Sequence, residues 1–222
     1  MSELVESIRN GFTRRFGGDP ILVRSPGRVN LIGEHTDYNE GFVLPAAVDR
    51  SLIFALALNG SDTVRIHAVD MAESYEFDIT EKPYKKSELG WANYLIGVTQ
   101  QLRKAGYETG GYDCAFGGDI PIGAGLSSSA ALECGLIFGL SELFDLEIPA
   151  AEIAKLGQKA ENEFVGVQCG IMDQFANIFG KENSVFKLDC RSLELEYYPF
   201  ERDDLRIVLC DTQVRRELAA SE

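Results

Sequence analysis

Apolar residues at Leu4, Ile8, Phe12 and Phe16 recur every four positions, so the spacing predicts an amphipathic helix over 2–16, closed by Gly17 and Gly18. The run SLIFALAL (51–58) is apolar throughout and predicts a strand buried on both faces. TVRIHAV (63–69) and SYEFDI (74–79) alternate with period two, as the arms of a half-exposed hairpin do. Helical spacing returns over 88–106, 127–144 and 149–164, with a strand predicted between them at 111–121. Short strands are expected near 184–188, 193–198 and 206–210. The pattern is α+β, a mixed but largely antiparallel sheet with helices packed on it. No repeat, low-complexity tract or linker interrupts it, and the whole chain, 1–222, reads as one domain.

Charge narrows the partners. With 21 Lys plus Arg against 35 Asp plus Glu, the net charge is -14, a field that repels nucleic acid and anionic membrane surfaces. Five cysteines, odd in number and never in a CxxC pair, fit neither a disulfide framework nor a zinc site. MSELVESIRNGFTRRF has no apolar core of signal-peptide type, and no stretch has the length of a membrane span, so a cytoplasmic protein is expected. Two histidines, His35 and His67, leave little material for a Ser-His-Asp triad or a multi-histidine metal centre. Acid–base work falls to carboxylates.

Two segments carry candidate chemistry. GGDIPIGAGLSSSAALE (117–133) sets glycines between a strand and a long helix whose start is three serines. Free amides and the positive end of a helix dipole at such a junction bind anions, and glycines let the backbone approach phosphate oxygens. Gly123, Gly125, Leu126, Ser127, Ser128 and Ser129 are the candidate phosphate-binding residues. The loop lacks the Lys-Ser/Thr of a Walker motif, having Leu126 and Ser127 instead. A glycine-rich turn with a serine cap is the plainer alternative, but one hydroxyl suffices for a cap, leaving others for phosphate or magnesium. The second segment, PGRVNLIGEHTDYNEGFVLP (26–45), crowds hydrogen-bonding side chains of both charge signs between apolar flanks.

GRVNLIGEHTDYN and GDIPIGAGLSSSAALE together resemble galactokinases, a family of the GHMP small-molecule kinase superfamily; ENEFVGVQCGIMDQFANIFG (161–180) is similar too, and TQVRRELAASE resembles the segment that follows. The first motif is specific to the family and the second is shared across the superfamily. The resemblance implies the GHMP kinase N-terminal fold (ribosomal protein S5 domain 2-like) and transfer of phosphate from MgATP to the anomeric hydroxyl of α-D-galactose. It implies Glu34, His35, Asp37 and the backbone at Gly170 as sugar contacts. Asp173 would be the base, with Arg28 pairing with it and stabilising developing negative charge. Ser129 and Glu161 would hold magnesium, Trp91 and Tyr94 would face adenine, and Arg215 would neutralise phosphate. Read alone, each has a plainer role: His35 a satisfied turn histidine, Asp173 a helix cap, Arg28 a surface ion-pair partner, Glu161 an exposed helix charge, Trp91 and Tyr94 core aromatics.

Family members carry a second, ferredoxin-like C-terminal lobe, and the sequence given ends in RRELAASE without it. The expectation is an N-terminal lobe cut short, binding nucleotide weakly, turning over poorly and exposing an apolar docking face. A kinase for another sugar such as N-acetylgalactosamine, and a non-catalytic galactose and ATP sensor, are the alternatives. Oligomeric state is not specified by these residues.

Overall fold

A computed structural model describes residues 3–81, 84, 86–121, 123–201, 204–205 and 207–210. The helix predicted at the start of the chain is α1 (Glu3–Phe16). It packs on one face of a five-stranded sheet made of β1 (Ile21–Asn30), β3 (Pro45–Leu58), β4 (Thr63–Ala68), β5 (Glu73–Asp78) and β6 (Tyr112–Gly118), in the order β1-β3-β6-β4-β5. All pairs are antiparallel except β4 with β6, so the sheet is mixed, as expected. β2 (Phe42–Val43), β7 (Ser184–Asp189) and β8 (Leu195–Pro199) form a second, three-stranded sheet.

The unbroken apolar run in β3 follows from its two buried faces. Ile53 and Ala55 join Ile8 and Phe12 of α1 in one cluster, whereas Phe54 and Leu56 point the other way into the main core. That core is closed by α2 (Gly90–Lys104), α3 (Ser128–Leu143) and α4 (Ala150–Lys159). α3 is apolar nearly all round, as suits a helix enclosed by others. α5 (Met172–Phe179) packs with β2 and β7 in a smaller cluster that includes Val43, Phe175 and Phe186.

Two expectations need correction, and two elements were not foreseen. The helix predicted over 149–164 is α4 followed by a π-helical turn at Ala160–Val165, a wider coil that ends on Gly166 at φ 92°. The strand predicted at 206–210 is not formed at 207–210, where Ile207, Val208 and Leu209 are exposed. α5 and β1 escape the pattern altogether. In β1 the register against β3 shifts between Pro26 and Arg28, a bulge that re-aims the strand's end.

Among the described residues no helix is long and apolar enough to cross a membrane, and the five cysteines are unpaired.

Candidate active site

The bulge in β1 places Arg28 where three elements meet. Its Nε donates to Asp173 Oδ1 at 2.7 Å and its Nη2 to Asp173 Oδ2 at 2.8 Å, a bidentate pair, while Nη1 donates to the carbonyl of Gly125 at 2.6 Å. Residues 145 positions apart in sequence are thus joined, and the same guanidinium is tied to the glycine loop. The loop is also fixed through its backbone, since Arg28 N donates to Leu126 O at 3.1 Å. Gly27 permits this approach: a Cβ there would lie 2.9 Å from Leu126 O. Gly123 and Gly125 take φ values of 75° and 74°, which side-chain-bearing residues rarely adopt.

At the mouth of α3 the three serines diverge. Ser127 occupies the N-cap position of α3, but it sits at φ 55° and makes no side-chain capping bond. Its hydroxyl donates to Asp173 Oδ2 at 2.5 Å, because the left-handed turn points it away from its own helix and toward α5. Ser128 and Ser129 line a cavity of about 410 Å³ whose walls include Leu52, Trp91, Tyr94, Phe116 and Leu132. This apolar slot opening on a helix N-terminus brings the loop and the two aromatic residues of α2 together. Trp91 Nε1 is satisfied by Glu73 Oε2 at 2.6 Å, so its ring is held in place. A cleft of about 450 Å³ between Phe16, Arg65 and Tyr75 is larger, but its Arg65 is already engaged by Asp113 at 2.6 Å and no glycine loop borders it.

Glu161 is 3 % exposed, so the plainer expectation of a solvated helix charge is overturned. The π-helical turn carries it inward, where its Oε2 accepts from Cys169 Sγ at 3.3 Å and Gln174 Nε2 at 3.2 Å. Burial pushes its carboxyl up, opposed by hydrogen bonds from Cys169 and Ser129. Asp37 is also raised, chiefly by burial and then by the charge of Asp173, with backbone bonding and Arg28 opposing. It therefore lies within electrostatic range of the Arg28–Asp173 pair. Gly170 presses against Asp37 so closely that any Cβ would overlap its carboxylate.

Glu34 and His35 occupy the exposed loop after β1. Asn30 Nδ2 donates to Glu34 Oε1 at 3.1 Å, and His35, at φ 64°, shares a 2.5 Å hydrogen bond with Tyr38 Oη. Arg215 lies outside the described residues. Two fully buried polar residues, Glu133 and Gln174, were missed. A lone acid inside the apolar window ALECGLIFGL was the available signal.

The chain matches two family models, "Galactokinase galactose-binding signature" over residues 10–58 and "GHMP kinases N terminal domain" over 93–181. It is 44% identical over 215 residues to a galactokinase of Roseiflexus sp. (strain RS-1), covering 96% of this chain and 54% of that one. A galactokinase of Thermotoga maritima is 44% identical over 200 residues, covering 90% of this chain and 55% of the relative. The chain spans about half the length of the curated relatives it matches. Among solved structures, a Lactococcus lactis galactokinase complexed with galactose superposes with a TM-score of 0.82 at 38% identity, over 93% of this chain and 57% of that one. A Methanococcus jannaschii mevalonate kinase shares the fold at 22% identity, with a TM-score of 0.68 over 84% of this chain and 57% of that one. The signature match falls on the segment that supplies Arg28 and Asp37, and the N-terminal-domain match on the loop, Glu161 and Asp173; the chain belongs to the galactokinase family of GHMP kinases.

Proposed function

We propose that the protein represented by this chain phosphorylates the anomeric hydroxyl of α-D-galactose with ATP, giving galactose 1-phosphate and ADP. The observation that carries the reading is the bidentate Arg28–Asp173 pair seated against the glycine loop and the start of α3. A sugar hydroxyl is a weak nucleophile, and a carboxylate within reach of its proton makes it a better one. An ionised carboxylate offers about four acceptor positions. Arg28 and Ser127 fill three of those on Asp173, leaving one on Oδ1 for the substrate hydroxyl. As the oxygen attacks the γ-phosphorus, its proton passes to Asp173 and the bond to the ADP oxygen breaks. Arg28 faces the negative charge that builds there, and the amides at the start of α3 face the phosphates.

Glu34, His35, Asp37 and the backbone at Gly170 are the proposed sugar contacts. They supply donors and acceptors whose unpaired state would penalise an epimer. Trp91 and Tyr94 form the wall of the slot proposed for adenine. For magnesium, the donor set fits: Glu161 and the Ser129 hydroxyl are hard oxygen ligands beside the loop. Among the described residues no group of three or more His, Cys, Asp or Glu side chains forms a metal cage, which suits an ion that takes its other ligands from phosphates and water. When bound, magnesium would neutralise phosphate charge; the chain's part is to hold Glu161 and Ser129 in place. Arg215 is proposed as a further phosphate contact.

An ADP-release assay over a panel of hexoses, run on this chain and on one extended with the C-terminal half of a relative, tests the proposal. Galactose-dependent turnover that falls roughly 10²–10⁴-fold in Asp173→Asn is expected. Equal turnover in Asp173→Asn would remove the base assignment, and turnover with a different sugar alone would remove the substrate.

A further inference from the structure

Behind the glycine loop lies a buried polar cluster to which the phosphoryl-transfer reading gives no role. Glu133, on the second turn of α3, and Gln174, next to Asp173 on α5, are both 0 % exposed. Gln174 Nε2 donates to Glu133 Oε2 at 3.1 Å and to Glu161 Oε2 at 3.2 Å. One carboxamide nitrogen, with two hydrogens, thus bridges acids from two different elements. The remaining oxygens, Glu133 Oε1 and Gln174 Oε1, are buried without hydrogen-bond partners.

As a packing device this is poor. Burying polar groups with half their bonding unmet costs free energy, and apolar residues of similar volume would fill the space better. What the bridge supplies is direction. Glu161 stands on a π-helical turn at the end of a three-torsion side chain, and the orientation of its carboxylate is set by its donors. Gln174 is the donor anchored on the far side by Glu133, and it shares the first helical turn of α5 with Asp173. That turn therefore delivers the proposed base to the sugar side and the bridging amide to the nucleotide side.

We infer that Gln174, braced by Glu133, is a positioning residue that aims the Glu161 carboxylate at the metal ion of the bound metal–nucleotide. The inference rests on the nucleotide reading given above. Gln174 touches neither nucleotide nor sugar in this scheme and acts through Glu161. The backing of a metal-binding carboxylate by an outer hydrogen bond typically changes metal affinity by 10–100-fold.

The test uses the 222-residue chain and two titrations by calorimetry, ATP with Mn²⁺ and ATP in EDTA. In Gln174→Met the affinity for ATP with Mn²⁺ falls roughly 10–100-fold while that for ATP in EDTA stays within about twofold. Gln174→Asn keeps an amide in the cavity but shortens its reach by one methylene, and gives the same metal-specific loss should the Met variant not fold. Glu133→Leu, which removes the brace, follows them. Glu133→Gln retains an oxygen that accepts from Gln174 and keeps the Mn²⁺ enhancement within about threefold of the parent. Unchanged Mn²⁺-dependent affinity in folded Gln174→Met and Gln174→Asn overturns the inference. So does an equal loss in both titrations, which marks a purely structural role, or a loss in Glu133→Gln as large as in Glu133→Leu. If neither the parent chain nor the chain extended with the C-terminal half of a relative binds ATP more tightly with Mn²⁺ than in EDTA, the nucleotide reading itself fails and takes the inference with it.

Discussion

Replacing Arg28 by Met removes the cation that faces Asp173 and frees the Gly125 carbonyl, which accepts from the same guanidinium. The pair's side chains are 14% and 26% exposed, between the surface case and the buried case. Exposed pairs contribute about 0–1 kcal/mol, and breaking a buried pair costs about 3–5 kcal/mol, so Arg28→Met should cost about 2–3 kcal/mol. In a domain of this size that lowers Tm by roughly 4–12 °C. Asp173→Asn should cost less, about 1 kcal/mol, for two reasons. The amide oxygen still accepts from Arg28, and the charge removed is one that raises the carboxyls of Asp37, Glu133 and Glu161. In the double variant Asp173→Asn should add little to the cost of Arg28→Met, giving a coupling of about 1 kcal/mol. Urea denaturation of the four proteins, followed by fluorescence of the single tryptophan, Trp91, measures the cycle. Costs that add to within about 0.5 kcal/mol, or an Arg28→Met no worse than Asp173→Asn, would refute the claim that this pair holds the site together.

Two further outcomes follow from the buried acids and the tight glycine. Burial raises the carboxyls of Glu133 and Glu161 above the ordinary value of 4.5, so the native chain binds these protons more tightly than the unfolded chain. Their contribution is fully present below that ordinary value and is lost as pH rises through the raised ones, so metal-free stability should fall as pH is raised above about 4.5. Glu133→Gln should flatten the slope in urea midpoints taken in EDTA, and an unaltered slope would exclude Glu133 as a source. Gly170→Ala should displace the whole Asp37 side chain, because the added Cβ would meet its Cβ and Cγ as well as its carboxylate oxygen. Galactose affinity, read by calorimetry, should drop about tenfold, as expected when one sugar hydroxyl loses a charged partner; an unchanged affinity would detach Asp37 from the sugar.

The parts of the fold that were legible are those where one physical demand dominates. SLIFALAL reads as a strand because Ile53 and Ala55 meet α1 while Phe54 and Leu56 meet the core, so every position is apolar. β1 does not read so easily: Arg24, Pro26, Gly27 and Arg28 break its alternation, and those exceptions exist to make the bulge that aims Arg28. α5, eight residues long, is too short to establish a period, and the wide turn after α4 keeps helical spacing while changing which side chains point inward. That last change explains Glu161. Its neighbours read as a solvated helix, yet one widened turn buries it beside Ser129 and Gln174. Motif resemblance named the residues that would touch ligands, but it carried no information on what stands behind them. Glu133 and Gln174, 41 positions apart, meet only once α3 and α5 pack. A charge inside an otherwise apolar helix is the trace such a contact leaves in the sequence, since nothing in the packing of α3 calls for it. The same reasoning links the two halves of the site. Arg28 forms its ion pair with Asp173, whereas Glu161 and Glu133 share a neutral amide, an arrangement that supports the proposal that Glu161 meets the positive charge of a metal ion.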